Sequence, residues 1–353
     1  MQYLDQQVVE QALAWLRSGQ PVWLCTVLST FGSSPREPGS MMVARINPRT
    51  QQTEHIGSLS GGCVEDDFLD RLLAGEFAKP AEILRYGATF DALSTTGANS
   101  KIQLPCGGTL DVLIERWPPN ADSLQHAQAM LDCLTGSQPA IREVTLNNIV
   151  GAVSKRQLTP AHSALTSRHD IPIHQNKTGR VQRLDGRVRI LIGPACRLII
   201  AGLSTVARAC AEFAVALGYE VIVCEPREEE RLGFNLPGIR LETQMPSSFI
   251  RQAGHCHAAT AVVAMTHDPR IDDLAMMAAV KTAAFYIGVM GSRRTSDARA
   301  ARLMRSGGLT AEQVERLHMP IGLALGSKTP AEIALAVMAD VVRVQKGQPR
   351  DQL

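Results

Sequence analysis

Apolar positions in the first third of the chain switch between helical and extended spacing. Residues 4–18 place apolar residues at three- and four-residue steps, which predicts an amphipathic helix. The runs WLCTVLST, MMVARI and HIGSL predict three strands joined by glycine-rich connections. CVEDDFLDRLLAG then predicts a helix that buries one apolar face and leaves Glu65, Asp66 and Asp67 on other faces. Together these elements predict a mixed α/β domain.

The pattern is weaker between residues 86 and 193. The stretch 86–104 is rich in Gly, Ser, Thr and Asn and indicates a loop, which leads into an alternating strand, TLDVLIE. A helix is predicted over 120–135. In 139–193, strand-like pieces such as REVTL and RVRILI alternate with polar loops. We interpret that stretch as the end of the first domain followed by a linker.

The chain after Arg197 alternates between short buried strands and helices. RLIIAG, STVARACAEFAVALG and EVIVCE read as one strand–helix–strand unit, and TAVVAM and AFYIGVM supply later strands. KTPAEIALAVMADVVRV predicts a long closing helix with Thr329 as its cap. The predicted fold class is therefore α/β: an N-terminal mixed α/β domain over 1–193, including the linker, followed by a C-terminal Rossmann-like parallel-sheet domain over 194–353.

The composition indicates the general class of protein but not its function. The 353 residues are 45% hydrophobic and 20% charged, which is typical of a chain that buries a substantial core. A net charge of +2 gives little support for nucleic acid or membrane binding, and no export signal is visible. Eight cysteines without a C-x-x-C pair predict free thiols. We expect a cytoplasmic protein.

A glycine-rich turn follows the first strand of the predicted Rossmann-like domain. Gly202 permits a tight strand-to-helix turn, but Ser204 occupies the place of the second glycine in a dinucleotide-binding fingerprint. Glu225, at the end of the next strand, matches the acidic residue that holds a ribose hydroxyl. A nucleotide site and a ligand-free scaffold of the same architecture both remain open.

Two other groups of polar residues follow predicted strands. Arg293 and Arg294 begin a predicted helix and would hold a phosphate through charge and backbone donors, or else lie on the surface as loop caps. His255, Cys256 and His257 are residue types that bind zinc. Adjacent residues on an extended chain point apart, however, so a helix end before a strand is the better interpretation.

Cysteine follows or precedes paired glycines at two places. Cys63 follows Gly61 and Gly62 at the first turn of a helix, where free N–H groups lower a thiol pKa. The acidic residues in the same turn repel both a thiolate and a phosphate, which argues against a phosphate cradle. The segment Cys106-Gly107-Gly108 has no acidic residue in its own loop. Either cysteine can instead be a small buried residue.

Six motifs in order resemble one family. GSSPREPGSMMV, GSLSGGCVE, LPCGGTLDVLIE, MTHD, YIGVMGSRR and PIGLALGSKTPAEIA resemble the XdhC/CoxI family of molybdenum-hydroxylase accessory proteins, while residues 120–190 carry little of the likeness. The family's Rossmann turn usually reads G-A-G-H-V-A. In this chain Ser204 and Thr205 replace its second glycine and its histidine, which puts dinucleotide binding by that turn in doubt.

The resemblance implies a chaperone of a cofactor rather than an enzyme. It would bind molybdenum cofactor as molybdopterin or its cytosine dinucleotide, assist sulfuration by a cysteine desulfurase and insert the cofactor into an apo-hydroxylase. A homodimer is expected. We expect no protein-only metal site, with the thiolate of Cys106 near molybdenum. Candidate cofactor contacts are Cys106, Gly107, Gly108, Cys63, Gly61, Gly62, Gly202, Ser204, Thr205, Glu225, Arg293 and Arg294.

The alternative function is that of an NAD(P)-dependent oxidoreductase. The strand–helix–strand unit and Glu225 favour it. Ser204 in place of a glycine weighs against it, and His267 is the one evident general acid. A third possibility is a scaffold that only docks the desulfurase to its target.

Overall fold

A computed structural model describes residues 2–31, 36–87, 108–136, 138–146, 156–160 and 180–350. The chain divides into two compact units: one is Leu4–Pro194, and the other contains Ala195–Leu353. Among the described residues, no helix combines the length and the apolar character that a membrane span needs. Seven cysteines in these ranges are free thiols.

The first unit holds two antiparallel sheets and three helices in its described ranges. Its elements are α1 (Gln2–Arg17), β1 (Val22–Phe31), β2 (Met41–Ile46), β3 (Thr53–Gly57), α2 (Cys63–Leu73), β4 (Ala81–Gly87), β5 (Thr109–Trp117), α3 (Ala121–Thr135), β6 (Ala140–Thr145), β7 (Arg156–Pro160), β8 (Val181–Leu184) and β9 (Arg187–Ile192). The strand orders are β3-β2-β1-β5-β4 and β7-β6-β9-β8.

The alternation along β5 explains how the five-stranded sheet is covered on both faces. Leu110, Val112 and Ile114 face a core that includes Phe68 of α2. The intervening residues, represented by Leu113 and Trp117, face a second core that contains residues of α1, α3, β6 and β9. The sheet is thus a middle layer, with apolar side chains at successive positions buried on opposite sides.

We interpreted residues 139–193 as the end of the first domain followed by a linker; in the structure, Ala140–Thr145 and Arg187–Ile192 of this stretch are strands of a four-stranded sheet in the first unit. Val144, Val188, Ile190 and Ile192 of β6 and β9 are at most 1% exposed and belong to the core of the first unit. The signal was weak because arginines alternate with these apolar residues. One of them, Arg142, is itself fully buried.

The second unit is a doubly wound parallel sheet. Its elements are β10 (Arg197–Ala201), α4 (Thr205–Ala216), β11 (Glu220–Cys224), α5 (Glu228–Arg231), β12 (Ile239–Glu242), α6 (Pro246–Arg251), β13 (Thr260–Ala264), α7 (Pro269–Ala279), β14 (Tyr286–Val289), α8 (Arg293–Arg305), α9 (Ala311–Glu315), β15 (Leu317–His318) and α10 (Pro330–Gln345). Strand order is β12-β11-β10-β13-β14-β15, with every pair parallel.

This strand order reverses direction between β10 and β13, which is where Rossmann-type folds bind ligands at the carboxyl ends of the strands. One face of the sheet packs on residues of α4 and α10, and the other on residues of α6, α7 and α8. The predicted fold class is therefore confirmed. The predicted cap is present as well, because the Thr329 hydroxyl accepts a hydrogen bond from Glu332 N.

Candidate functional site

In the first unit, the motif loops leave the five-stranded sheet at one end. Phe31 at the end of β1 and Gly87 at the end of β4 both pair with Thr109 at the start of β5. Gly57 at the end of β3 pairs with Met42 near the start of β2. The chain therefore enters or leaves the segments around FGSSPREPGS, GSLSGGC and LPCGG at the same end of the sheet.

Gly108 fixes the place where the second Cys-Gly-Gly segment joins the sheet. Gly87 has a φ of +100°, and a Cβ there would stand 2.1 Å from the carbonyl oxygen of Gly108. Only glycine permits both this backbone conformation and this close approach. Cys106 and Gly107 lie outside the described residues, so their role remains a prediction.

The loop GSLSGG wraps around the carboxylate of Glu65, which belongs to the first turn of α2. Four backbone amides and two hydroxyls donate to this side chain at 2.7–3.0 Å; the donors are Ser58 Oγ, Leu59 N, Ser60 N, Ser60 Oγ, Gly61 N and Gly62 N. Glu65 is only 5% exposed. The sequence-based placement of Glu65 away from the buried side of α2 is therefore wrong.

The electrostatics of the loop follow from these bonds. Burial disfavours the charged carboxylate, but hydrogen bonds from Ser58, Ser60 and Gly61 outweigh burial and hold the pKa of Glu65 well below its usual range. The loop is thus an anion cradle, and its anion is internal. A cofactor phosphate would have to displace Glu65 to use the same donors.

Cys63 is the described thiol at this end of the sheet. Gly62 is the N-cap of α2 and Cys63 its first residue, and both are exposed. A Cβ at Gly62 would meet no atom of the described residues within 4 Å. The surface in front of Cys63 and Gly62 is therefore open to a ligand that does not depend on the amides taken by Glu65.

In the second unit, the glycine-rich turn forms as the sequence predicts, but its polar groups already make hydrogen bonds within the protein. Ser204 is the N-cap of α4, and its hydroxyl accepts a hydrogen bond from Ala207 N at 3.1 Å. Thr205 is the first residue of the helix. One of the free N–H groups that would face a pyrophosphate is thus already bonded.

The carboxylate of Glu225 also makes its hydrogen bonds within the protein. One carboxylate oxygen accepts from Leu203 N, and Arg227 donates to the carboxylate through its backbone N and its guanidinium at 2.7–2.9 Å. Although burial opposes ionisation, the hydrogen bonds from Arg227 and Leu203 lower the pKa of Glu225. A ribose hydroxyl would have to compete with these donors.

Gly202 offers a test of this turn. Its φ is +79°, and a Cβ would stand 2.1 Å from Cγ2 of Thr266. We expect Gly202→Ala to lower the free energy of unfolding of the second unit by about 3 kcal/mol, since the clash adds to the cost of a left-handed alanine.

Hydrogen exchange of amides in the second unit measures the change in its free energy of unfolding. The matched control for Gly202→Ala is Gly233→Ala. Gly233 has a similar φ of +73°, and the added methyl would meet no described atom within 4 Å. It should cost only about 1 kcal/mol. Equal losses in the two variants would contradict the role assigned to the contact with Thr266.

Arg293 and Arg294 lie apart from Glu225. They are the first two residues of α8, are exposed, and make no ion pair or side-chain hydrogen bond among the described residues. Ser292 caps the helix by accepting from Thr295 N. Glu225 follows β11 and Arg293 follows β14, three strand spacings away in the sheet, or about 14 Å.

The MTHD segment between β13 and α7 is held in an uncommon conformation. His267 has a φ of +65°, and its backbone N donates to Asp272 Oδ2 at 2.9 Å. The other oxygen of Asp272 accepts from the Thr266 hydroxyl at 2.6 Å. Arg299 lies 3.5 Å from Asp272 and donates to the carbonyl of Met290. The network therefore ties this segment to the loop before α8.

The residues His255, Cys256 and His257 are used locally. Nδ1 of His255 lies 3.0 Å from the carbonyl oxygen of Phe249, and Nδ1 of His257 accepts from Ala259 N. Burial and nearby Arg197 lower the pKa of His257 to about 4. In the described part of the chain, no group of three His, Cys, Asp or Glu side chains is arranged to hold a metal ion.

A cavity of about 410 Å³ lies at the carboxyl ends of β13 and β14. It is lined by His267, Met290, Gly291, Ile321, Leu323, Ala324, Leu325, Gly326, Ser327, Ile333 and Ala336. The segment PIGLALGSK, which contributes several of these residues, is part of a motif that carries the family resemblance but was not predicted to line a cavity. Its alternation of glycine with apolar residues before a helix cap was the available signal.

The fold combines a Rossmann-like unit with a unit that carries glycine-rich loops. A family model described as XdhC and CoxI family matches residues 15–87, and one described as XdhC Rossmann domain matches residues 198–341. The chain belongs to the XdhC and CoxI family, as the motifs predict.

Curated relatives match over nearly the whole length. A Bacillus subtilis (strain 168) protein described as a probable xanthine dehydrogenase subunit is 25% identical over 94% of this chain and 96% of its own. PaoD of Escherichia coli (strain K12), described as a molybdenum cofactor insertion chaperone, is 26% identical over 98% of this chain and 90% of its own. A crystal structure of a xanthine dehydrogenase from Bacillus halodurans shares the fold, with a TM-score of 0.66, 22% identity and coverage of 98% and 97%.

Proposed function

We propose that this protein binds molybdenum cofactor, assists its sulfuration and inserts it into a xanthine- or aldehyde-type molybdenum hydroxylase. Membership of the XdhC and CoxI family and the full-length similarity to an insertion chaperone support a role in cofactor maturation. The cofactor is then cargo, and the protein acts as a chaperone rather than as a catalyst of metabolite turnover. The cargo is molybdopterin or its cytosine dinucleotide.

The observation that carries the proposal is the shared position of the motif loops in the first unit. Gly57 at the start of the GSLSGGC loop, Gly87 at the end of β4 and Gly108, the last residue of LPCGG, lie at one end of the five-stranded sheet. A thiolate is a ligand that suits a soft metal centre, and paired glycines allow close approach of a bulky ligand. Cys106 is our first choice for the contact with molybdenum, and Cys63 is the second.

The hydrogen bonds of the GSLSGG loop decide which part of the cofactor this loop can contact. Because Glu65 occupies the amides of Gly61 and Gly62, these glycines give space rather than phosphate donors. The exposed Cys63 remains suited to the metal-bearing part of the cofactor. Gly107 and Gly108 would serve beside Cys106 in the same way. The phosphate of the cofactor then needs cationic groups elsewhere in the chain.

The proposed chaperone function requires partner proteins. The cofactor has to pass to an apo-hydroxylase, and the exchange of an oxo for a sulfido ligand requires a sulfur donor, for which we propose a cysteine desulfurase. We further propose that the protein acts as a homodimer. Co-purification of the full chain with its native cofactor and partners would test these assignments together.

Anaerobic mixing of the purified protein with molybdenum cofactor tests the function. We expect the wild type to retain the cofactor through gel filtration, Cys106→Ala to lose most of it and Cys63→Ala to lose less. Cys133→Ala is the control, since Cys133 lies on α3 beside the core. Failure of the wild type to retain cofactor would contradict the proposal, whereas full retention by Cys106→Ala would contradict only the assignment of that thiol.

The second candidate function is an NAD(P)-dependent oxidoreductase, which the doubly wound parallel sheet favours. The bonds of Glu225 to Leu203 and Arg227 weigh against it. Titration with NAD⁺ and NADP⁺ distinguishes the two: tight binding accompanied by substrate turnover would favour the oxidoreductase.

A further inference from the structure

The cavity beside β13 and β14 has the size and lining of a small-molecule site. Its volume of about 410 Å³ falls within the usual range for ligand pockets, about 300–1,000 Å³. Its walls are largely apolar, with Met290, Ile321, Leu323 and Ile333 among them. Such walls suit a flat ring system that leaves water when it binds.

Polar groups converge beside one wall of this cavity, at Gly291. A Cβ at Gly291 would stand 2.7 Å from Thr295 Oγ1, 3.5 Å from Arg299 Nη1 and 3.6 Å from Ser296 Oγ. Ser296 is 3% exposed, and its hydroxyl has no hydrogen-bond partner among the residues that the structure describes. A buried hydroxyl without a partner is costly. Ser296 does not itself line the cavity, but its hydroxyl lies next to Gly291, which does, so a polar group with unused hydrogen-bonding capacity lies beside this wall.

The loop before α10, which also lines the cavity, contains backbone N–H groups without an acceptor in the described part of the chain. Within the described residues, the backbone N–H groups of Ala324, Gly326 and Ser327 donate to no protein acceptor, whereas the next amide, that of Lys328, donates to Glu332. These three residues line the cavity. Free amides on an otherwise apolar wall suit the ring carbonyls and nitrogens of a heterocycle.

Cationic residues follow the cavity-lining residues of two loops closely in sequence. Arg293 and Arg294 follow Gly291 by two and three residues, and Lys328 follows Ser327 directly. All three side chains are exposed and make no ion pair within the described ranges. The N-terminus of the 13-residue helix α8 adds its partial positive charge at the same point. A phosphate next to Gly291 would meet the charges of Arg293 and Arg294 together with that of the helix N-terminus.

The glycine-rich turn after β10 lacks these features, because Glu225 and Ser204 already engage Leu203 N and Ala207 N. We propose that the Rossmann-like unit binds a phosphorylated planar heterocycle in the cavity at β13 and β14, with its phosphate at Arg293 and Arg294. The identification of that heterocycle as the pterin or the cytidine half of the cargo rests on the proposed function.

Direct titration of the full-length protein tests the site without the metal. The probes are a pterin with a phosphate ester, the same pterin without phosphate, cytidine 5′-monophosphate, cytidine and inorganic phosphate, measured by calorimetry. We expect the wild type to bind one phosphorylated heterocycle at least tenfold more tightly than its unphosphorylated form. Preference for the pterin or for cytidine monophosphate would say which half of the cargo the cavity holds.

Two variants and one control locate the binding. Ala324→Trp places an indole in the cavity and should abolish binding of both forms of the preferred heterocycle. Arg293→Glu should weaken binding of the phosphorylated form at least tenfold and of the unphosphorylated form less than twofold. Arg305→Glu reverses a charge at the other end of α8, about 18 Å away, and should change neither.

The outcomes separate this inference from the proposed function. Equal weakening by Arg293→Glu and Arg305→Glu, wild-type binding by Ala324→Trp, or no binding of any phosphorylated heterocycle would overturn the inference. Retention of molybdenum cofactor by the wild type and equally by Ala324→Trp would leave the proposed function standing and remove the cavity from it. Loss of cofactor retention by the wild type with intact binding of a phosphorylated heterocycle would do the reverse.

Discussion

Replacing Glu115 by glutamine should lower the free energy of unfolding of the first unit by about 3–5 kcal/mol. The substitution keeps the volume of the side chain and removes the charge that compensates two buried arginines. All three tryptophans of the chain, Trp15, Trp23 and Trp117, lie in this unit, so urea unfolding followed by tryptophan fluorescence reports on it selectively.

The expected size of the effect follows from the geometry around Glu115. Its carboxylate accepts two hydrogen bonds from Arg142 Nη2, at 2.8 and 2.6 Å, and lies 3.8 Å from Arg156 Nε. Glu115 and Arg142 are fully buried, and the Arg156 side chain is 6% exposed. His126 accepts from Arg142 Nε. Its pKa is lowered to about 2 by burial and by the two arginines, so it adds no charge.

The control is Glu143→Gln, one position from Arg142 on β6. Glu143 also pairs with two arginines, Arg187 and Arg189, but its side chain is 20% exposed. Solvent screens such pairs, and we expect a loss below about 1 kcal/mol. Similar losses for Glu115→Gln and Glu143→Gln would contradict the importance of burial here.

The sequence predicted the second unit well for a physical reason. Parallel strands buried on both faces are continuous apolar runs, and the helices between them carry one apolar stripe, so local pattern and fold agree. RLIIAG, EVIVCE, TAVVAM and AFYIGVM predict β10, β11, β13 and β14 without any long-range information, whereas the short edge strands β12 and β15 were not predicted. The tight turn at Gly202 could likewise be predicted from its position directly after a strand.

Three features of the candidate sites depend on contacts that local pattern does not encode. Glu65 is acidic and sits in a first turn, so a periodicity argument places it in solvent, yet six donors from the preceding loop bury it. Glu225 matches a nucleotide contact by spacing, but Arg227 holds it. The cavity needs β13, β14 and α10 together, which only the folded sheet brings into contact.

The hydrogen bonds of Glu65 and Glu225 and the position of the cavity change which residues of each unit we propose as cofactor contacts. The end of the first unit's five-stranded sheet that carries the motif loops offers the exposed thiol of Cys63 and space, since its anion cradle is already filled by Glu65. The second unit offers cations and an apolar cavity whose lining does not include residues of its glycine-rich turn. A cargo that combines a soft metal centre, a heterocycle and a phosphate needs each of these surroundings.

Replacing Glu65 by alanine should cost about 3–5 kcal/mol of first-unit stability and open the cradle to external anions. A hydrogen bond to a charged group contributes about 1.5–3 kcal/mol, and water replaces part of the loss because Gly61 and Gly62 are exposed. Added acetate should therefore raise the unfolding midpoint of Glu65→Ala more than that of the wild type, measured again by tryptophan fluorescence.

One control variant and one pH measurement make the Glu65 experiment specific. Asp66→Ala removes the exposed neighbouring carboxylate in the same helical turn and should cost less than about 1 kcal/mol, with no acetate effect beyond that of the wild type. Because folding lowers the pKa of Glu65 from its ordinary value of 4.5, its stabilisation is complete above that pH and declines as the pH falls below it. Glu65→Ala should therefore lose less stability than the wild type between about pH 6 and pH 3; equal acid sensitivity and no acetate effect would show that the cradle does not depend on its internal anion.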